Sequence, residues 1–280
     1  MDPNMIRSLE KVRREFSTQL KCEARLKKLR WPDGVVCPEC GTDHPYWLKN
    51  QRLWECRSCK YHFSITAQTI FHRSKIDLPR WFVAIRMMCH SPKGVSAKQL
   101  ERTLGVHYET AWYMAKRIRR AMKHDMFEDR LCGIVEIDDA VVKSDKGKRW
   151  GGGSHVVGMA SRAGDLRMQV LDKLRGEEIR RVVAENVEYV QTFYTDGHKL
   201  YKKMHELGPH QYVVHQKEWV NGDVHVSYVE NAWSLFKRGL VGMYHHVSTK
   251  YLQEYLDEFA FRYRHRHEKS SLFDLVLESC

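Results

Sequence analysis

The sequence predicts a mixed α/β protein whose N-terminal and C-terminal parts differ in construction. Four cysteines in two close pairs mark the N-terminal part, and apolar residues at three- and four-residue steps follow them over residues 78–123. From Gly133 onward, strand-like and helix-like segments alternate. These patterns favour a small helical region followed by one larger α/β domain.

Length and charge agree with this division. The chain of 280 residues can form a sizeable domain and a smaller appendage. Residues 1–130 contain 26 Lys and Arg against 14 Asp and Glu, whereas residues 131–280 contain 21 of each class. The net charge of +12 therefore lies entirely in the first part. This asymmetry favours a surface that binds a polyanion, the alternative being a basic segment that serves only solubility.

The sequence also bears on location. It has no apolar run long enough to span a membrane, and its first residues lack the apolar segment of a signal peptide. We therefore expect a cytoplasmic protein, or a nuclear one if the host is a eukaryote.

Residues 1–30 are predicted to form a basic helical segment, and residues 31–72 a zinc ribbon. The ribbon is predicted from the pairs Cys37–Cys40 and Cys56–Cys59, which fifteen residues separate. Four thiolates at this spacing can close one tetrahedral structural Zn²⁺ site with no open position for water. The alternatives are disulfides, which a reducing cytoplasm disfavours, and substitution of a cysteine ligand by His44 or His62.

Residues 73–128 are predicted to form a helix-turn-helix. A helix begins near Leu78, a short helix covers 97–104, Gly105 and Val106 form a turn, and a longer helix runs from about 108 to 123. Recognition helices read DNA bases with their first residues and reach phosphates with basic side chains. The candidates for base contact are His107, Tyr108, Glu109 and Thr110, and those for phosphate contact are Lys116, Arg117, Arg119 and Arg120. An ordinary helical hairpin is the alternative interpretation.

The region 129–280 is predicted to be the larger α/β domain. Strands are expected at 133–142, 155–161, 166–171, 189–195 and 211–215, and a polar, glycine-rich loop at 143–154. Helices are expected at 177–186, 198–206, 227–239 and 248–266.

Three acidic residues of this domain are candidate metal ligands. Asp138 lies toward the end of one predicted strand and Asp196 follows another, and Glu230 lies on a predicted helix with Lys237 two turns further on. Three carboxylates and a nearby Lys are the groups that a two-metal phosphoryl-transfer site requires. Alternatives remain for each residue: Asp139 is a rival to Asp138, Asp196 suits an Asx turn, and Glu230 with Lys237 suits a solvated helix face.

Several motifs in one order resemble those of the bacterial insertion-sequence DDE transposases that begin with a zinc ribbon, a group related to the eukaryotic Merlin transposases. The resemblance covers about residues 29–263. Its main motifs are Val135-Glu136-Ile137-Asp138, Thr195-Asp196-Gly197, the segment from Glu230 to Gly239, and the segment from Asp257 to Tyr263.

The resemblance implies an RNase H-like catalytic domain in which Asp138, Asp196 and Glu230 form the DDE triad and Lys237 accompanies it. The chain departs from the family pattern at Ser227, where members often carry Asn, and at Asp139, where Glu is frequent. If Glu230 is not the third ligand, Ser227, Asn231 and Asp223 are the residues to test.

The predicted function is therefore that of a DNA transposase. We expect it to hold two catalytic Mg²⁺ ions, with Mn²⁺ as a substitute, and to bind terminal inverted repeats and target DNA as a homodimer or larger assembly. No membrane or small-molecule substrate is expected, and in a bacterium the protein would be associated with the nucleoid. The alternatives are a DNA-binding regulator with an inactive catalytic domain, and a nuclease or resolvase that performs no strand transfer.

Overall fold

The computed structural model describes residues 3–126, 130–143, 153–214, 222–267 and 272–279. These residues form two compact units. The first comprises described residues up to 91, residues 97–121 and residues 272–279, and the second comprises 92–96 and the described residues between 122 and 267. Within the described residues, no helix is both long and apolar enough to cross a membrane. The predicted glycine-rich loop falls mostly on 144–152, which lie outside the described residues.

The helices agree closely with the sequence periodicity. They are α1 (Pro3–Glu15), α2 (Gln19–Arg30), α3 (Leu78–His90), α4 (Ala97–Leu104), α5 (Tyr108–Met126), α6 (Gly176–Asn186), α7 (Ser227–Gly239), α8 (Thr249–Arg264) and α9 (Leu272–Glu278). A π-helical turn, Leu240–Tyr244, follows α7.

The strands form two sheets. They are β1 (Tyr46–Leu48), β2 (Leu53–Glu55), β3 (His62–Phe63), β4 (Leu131–Lys143), β5 (Gly153–Ser161), β6 (Leu166–Leu171), β7 (Val187–Asp196) and β8 (His210–Val213). In the first unit β1, β2 and β3 pair antiparallel in that order. In the second unit the order is β6-β5-β4-β7-β8, with β4, β5 and β6 antiparallel and β4, β7 and β8 parallel.

An aromatic core holds the helices of the first unit together. Phe16, which follows α1, packs edge-on against Phe82 of α3 with ring centroids 5.0 Å apart. Phe273 of α9 packs against both of these rings. Helix α9 buries its apolar face here, and its residues belong to the first compact unit.

The short strands of the first unit pack around tryptophan rings. Trp54 of β2 contacts Trp31 and Phe63 at centroid distances of 5.4 Å and 5.9 Å. Arg30 at the end of α2 donates hydrogen bonds to the carbonyl oxygens of Ile65 and Ala67. These contacts join the short strands to the helices of the same compact unit.

The five-stranded sheet of the second unit has two differently covered faces. One face carries an apolar core that includes Ile137, Val157 and Phe193 and packs against α6. The other face contacts α7 through β4 and β5, and α8 through β6. Along β4, odd-numbered side chains such as Ile137 therefore face the apolar core, and even-numbered side chains face α7.

The segment after β7 differs from the predicted helix at 198–206. It forms two short 3₁₀ turns, Lys199–Tyr201 and Met204–Glu206. Each turn contributes one buried residue, Tyr201 from the first and Met204 from the second.

Candidate active site

Asp138 and Asp196 lie at corresponding positions on two neighbouring parallel strands. In the β4–β7 pair Glu136 is opposite Tyr194, and each aspartate follows two residues later. Two residues along a strand return a side chain to the same face. The register therefore brings the two carboxylates together on one face of the sheet, where β7 ends.

Glu230 reaches this face from α7, which packs directly on β4 and β5. Gly158 of β5 is the strand partner of Asp138. A Cβ atom at Gly158 would lie 2.9 Å from Cζ2 of Trp233 and 3.0 Å from Cγ2 of Val229. The missing side chain therefore allows α7 to approach the sheet beside Asp138.

The electrostatics of Asp138 show that the acidic residues influence one another. Burial, together with the charges of Asp139, Asp196 and Glu230, raises the pKa of this carboxyl to about 7. A partly buried carboxylate among like charges is unfavourable unless a cation accompanies it. Carboxylate oxygens are the donors that Mg²⁺, Mn²⁺ and Ca²⁺ prefer, so this donor set fits divalent cations.

Asp138, Asp196 and Glu230 form a looser group than the cysteines of the first unit. Among the described residues, the metal-binding side chains whose donor atoms all lie within 4.8 Å of one another are the four cysteines.

Asp139 points away from this cluster. Its Oδ1 atom accepts a hydrogen bond of 2.7 Å from the hydroxyl of Tyr201. That tyrosine is buried, and burial together with the charge of Asp139 raises the pKa of its hydroxyl above the usual range. Asp138, in contrast, lies on the β4 face that packs against α7. This placement favours Asp138 over Asp139 as the ligand.

Asp196 combines two of the interpretations that the sequence allowed. Its Oδ1 atom accepts a hydrogen bond of 3.1 Å from the backbone N–H of His198, which is an Asx-type turn. Because this bond uses one carboxylate oxygen, it orients the group without consuming all of its lone pairs. The turn is therefore compatible with metal binding.

Lys237 lies on α7 two turns beyond Glu230, and its side chain is exposed. The alternative ligands Ser227, Asn231 and Asp223 are also exposed. Ser227 Oγ lies 3.1 Å from Nδ1 of His225. Glu230 differs from these residues because its charge acts on Asp138.

Glu136 is a site residue whose contacts the sequence did not reveal. Its side chain is fully buried, and burial raises its pKa while hydrogen bonds from the backbone of Tyr228 and Val229 oppose that shift. Arg162 and His225 face its other oxygen. The sequence feature that could have identified Glu136 is its position two residues before Asp138, which places both side chains on the same face of the strand.

The four predicted zinc ligands form one cluster in the first unit. Sγ of Cys37 lies 3.7 Å from that of Cys59, and Sγ of Cys40 lies 3.4 Å from that of Cys56. Zinc–sulfur bonds of about 2.3 Å place tetrahedral sulfurs about 3.8 Å apart, so the cluster fits a structural Zn²⁺. Hydrogen bonds, chiefly those with the side chain and backbone of Thr42, lower the pKa of Cys40 to about 6, whereas burial and the neighbouring cysteines raise the pKa of Cys59.

The predicted base-contacting residues remain candidates. His107 and Tyr108 are exposed and Thr110 is partly exposed at the start of α5. Arg120 is also exposed. Lys116 lies over the ring of Trp112, 5.4 Å from its centroid.

One predicted phosphate contact requires correction, and a second, Arg117, is only partly exposed and stays a prediction. Arg119 is 3% exposed, because it faces the helix side that buries Ala115 and Ile118, so its placement does not suit phosphate binding. Arg117 donates hydrogen bonds of 2.6 Å and 2.9 Å to the carbonyl oxygens of Ile70 and His72. It therefore joins α5 to the end of the ribbon segment.

Comparison with known proteins agrees with the geometry of both units. Residues 130–264 match the family described as the ISXO2-like transposase domain, and residues 17–62 match the transposase zinc-ribbon domain. A protein of Halobacterium salinarum, described as an uncharacterized protein in transposable element ISH50, is 30% identical over 273 residues, covering 88% of this chain and 91% of the relative. The chain therefore belongs to the ISXO2-like transposases with a zinc ribbon.

Proposed function

We propose that this transposase binds the terminal inverted repeats of its element, hydrolyses the phosphodiester bond at each end and joins the freed 3′-OH to target DNA. The observation that carries the proposal is the convergence of Asp138, Asp196 and Glu230 from two parallel strands and one helix. Membership of a transposase family supports the same conclusion.

The second unit is proposed to be an RNase H-like domain. Two features support this. The first three strands run antiparallel and the next two lie parallel to the first, and acidic residues lie within β4 and at the end of β7. Fold alone does not establish activity, so the proposal depends on the carboxylates.

Asp138, Asp196 and Glu230 are proposed to hold two Mg²⁺ ions. When bound, the ions would supply Lewis-acid activation of the attacking oxygen and neutralise charge on the leaving oxygen. In the first reaction a water oxygen bonds to phosphorus, and the bond from phosphorus to the 3′ oxygen breaks to give a 3′-OH. In the second, that 3′-OH attacks a target phosphodiester and releases a target 3′-OH. The positive charge of Lys237 is proposed to contact a DNA phosphate near the reacting bond.

The first unit is proposed to bind the repeats. Helices α4 and α5 with the turn at Gly105 are proposed as a helix-turn-helix, with His107, Tyr108 and Thr110 at the bases and Lys116 and Arg120 at phosphates. Joining two ends requires a dimer or larger assembly on DNA. Such a protein would act in the bacterial cytoplasm at the nucleoid, or in a eukaryotic nucleus.

Incubation of the purified protein with Mg²⁺ and linear DNA that carries the element's ends tests this proposal. A transposase gives both cleavage and strand transfer, a regulator gives binding alone, and a nuclease or resolvase gives cuts without transfer. Cleavage should be abolished, and repeat binding retained, in Asp138→Ala, Asp196→Ala and Glu230→Ala. The reason is that DNA binding by the first unit does not require the ions. If Glu230→Ala cleaves normally, the third ligand is one of Ser227, Asn231 or Asp223.

A further inference from the structure

Glu136 has an unusual set of partners for a fully buried carboxylate. Its Oε2 atom accepts the backbone N–H groups of Tyr228 at 2.8 Å and Val229 at 3.3 Å. Both amides belong to the first turn of α7, where helix N–H groups have no partner inside the helix. A carboxylate is favoured at such a position by the hydrogen bonds and by the helix dipole.

The helix receives no side-chain cap from its own N-cap residue, Val226. Glu136, 92 residues earlier in the sequence, supplies the acceptor instead. Capping side chains normally come from the residue next to the helix. Here the cap comes from β4, so it also joins the helix to the sheet.

The second carboxylate oxygen extends this link. Oε1 lies 3.4 Å from Nε of Arg162 and 3.2 Å from Nδ1 of His225. Arg162 also donates a hydrogen bond of 2.5 Å to the carbonyl oxygen of Asp223. One buried side chain thus fixes both the start of α7 and the segment that leads into it.

We propose that Glu136 is a positioning residue that fixes the start of α7 on β4 and thereby sets Glu230 beside Asp138. Glu230 follows the bonded amide of Val229 by one residue, and Asp138 follows Glu136 by two. The inference rests on the proposed function, because it treats both residues as metal ligands.

The two carboxylate oxygens of Glu136 have different partners, so substitutions at this position remove different contacts. One oxygen serves two amides and the other faces two nitrogen-bearing side chains. Glutamine retains one oxygen for the amides and presents an NH₂ group to Arg162 and His225. Alanine removes both acceptors and leaves the two amides buried without them.

Mn²⁺ binding to the full-length, zinc-loaded protein without DNA tests the proposal, with free Mn²⁺ measured by electron paramagnetic resonance. Loss of a group that orients metal ligands typically weakens metal binding about 10–100-fold, so Glu136→Ala should raise the Mn²⁺ Kd by at least about tenfold. Glu136→Gln should remain within about fivefold of the native protein, the factor that one ordinary hydrogen bond is worth.

Glu258→Gln is the matched control. Glu258 is fully buried in the same unit, pairs with Arg262 and accepts a hydrogen bond of 3.1 Å from the hydroxyl of Tyr244. This variant should lower the melting temperature but leave the Mn²⁺ Kd unchanged. If Glu136→Ala is destabilised to a similar extent and binds Mn²⁺ like the native protein, Glu136 has only a structural role and the inference is wrong.

Hydrogen–deuterium exchange separates failure of the inference from failure of the proposed function. Glu136→Ala should lose protection at the amides of Tyr228 and Val229 while the later turns of α7 stay protected, and unchanged protection there would overturn the inference. If the native protein and Asp138→Ala bind Mn²⁺ equally, the proposed ligand set is wrong. The exchange result then decides whether Glu136 fixes the helix.

Discussion

A methyl group added at Gly158 tests whether the close approach of α7 to the sheet positions the active site. The new Cβ atom would lie 2.9 Å from Cζ2 and 3.1 Å from Cε2 of Trp233, and 3.0 Å from Cγ2 of Val229. Favourable contacts between carbon atoms begin at about 3.5–4.0 Å. Relief of the overlap therefore requires α7 to move outward by roughly 0.6–1 Å.

The expected effects follow from this displacement. Overpacking of a well-packed core costs about 1–3 kcal/mol, which corresponds to a melting temperature lower by about 2–10 °C for a unit of this size. A misplacement of about 1 Å in an active site can reduce the rate about 10²-fold. Because α7 carries Glu230, Gly158→Ala should slow cleavage of the element's end by about 10–100-fold.

The assay compares single-turnover end cleavage and thermal melting of Gly158→Ala with those of Gly242→Ala. Gly242 lies in the π-helical turn after α7, and a Cβ atom there would meet no atom within 4 Å. The control should therefore cleave and melt like the native protein. If Gly158→Ala has the cleavage rate and melting temperature of the native protein, the close packing of α7 on the sheet does not control the site.

The remaining predictions concern the ribbon, the DNA contacts and pH. The native protein should contain about one Zn²⁺ per chain by elemental analysis, and Cys40→Ser should lose it together with the ribbon fold; a zinc-free protein with an intact ribbon would contradict this. Arg120→Ala should flatten the slope of log K against log[salt] for repeat binding by about 0.9 if Arg120 contacts one phosphate, and an unchanged slope would exclude that contact. Arg117→Ala should lower the melting temperature of the first unit, because two carbonyl oxygens lose their donor; unaltered melting would show that these bonds add no stability. Burial raises the pKa of Asp257 to about 6, so its protonated form favours the folded state and that contribution is lost as pH rises through about 6. At pH 8 the buried, charged Asp257 lowers the free energy of unfolding, and Asp257→Asn should recover up to about 3 kcal/mol of it. The melting temperatures at pH 5 and pH 8 should therefore differ less in the variant than in the native protein, and an equal difference in both would refute this.

The sequence could predict the strands that carry Asp138 and Asp196 because local patterns encode them. Asp138 follows the apolar run 133–137 and Asp196 follows the strand-like run 191–195, although β4 continues past Asp138 to Lys143. The two cysteine pairs are equally local, since each is contained in four residues. The four-cysteine cluster is confirmed by the distances between the sulfur atoms.

The features that the sequence did not predict depend on tertiary contacts. Arg119 belongs to a run of basic residues that reads as an exposed helix face, yet its position on the helix turns it toward the core. Arg117 bonds to carbonyl groups about 45 residues earlier in the chain. Helix α9 packs against Phe16 and Phe82 through Phe273. The sequence of this short helix does not indicate which residues it contacts. In each case the partner is remote in sequence, so periodicity carries no information about it.

A ligand on a helix needs more constraint than a ligand on a strand. The hydrogen bonds of the β4–β7 pair fix Asp138 against Asp196, because a register slip would also move the apolar face of the strand out of the core. Helix α7 has no such ladder with the sheet. Sliding it by one residue would move Glu230 by about 1.5 Å along the axis and rotate it by about 100°.

Two contacts supply this constraint in the described structure. Gly158 sets the height of α7 above the sheet, since Val229 and Trp233 rest where a side chain would otherwise stand. The bonds from Glu136 to the first-turn amides set the position of the helix along its axis and its rotation. Gly158 of β5 is paired with Asp138, and Glu136 of β4 lies two residues before it. The strand pair that carries the first carboxylate therefore also determines where the third one lies.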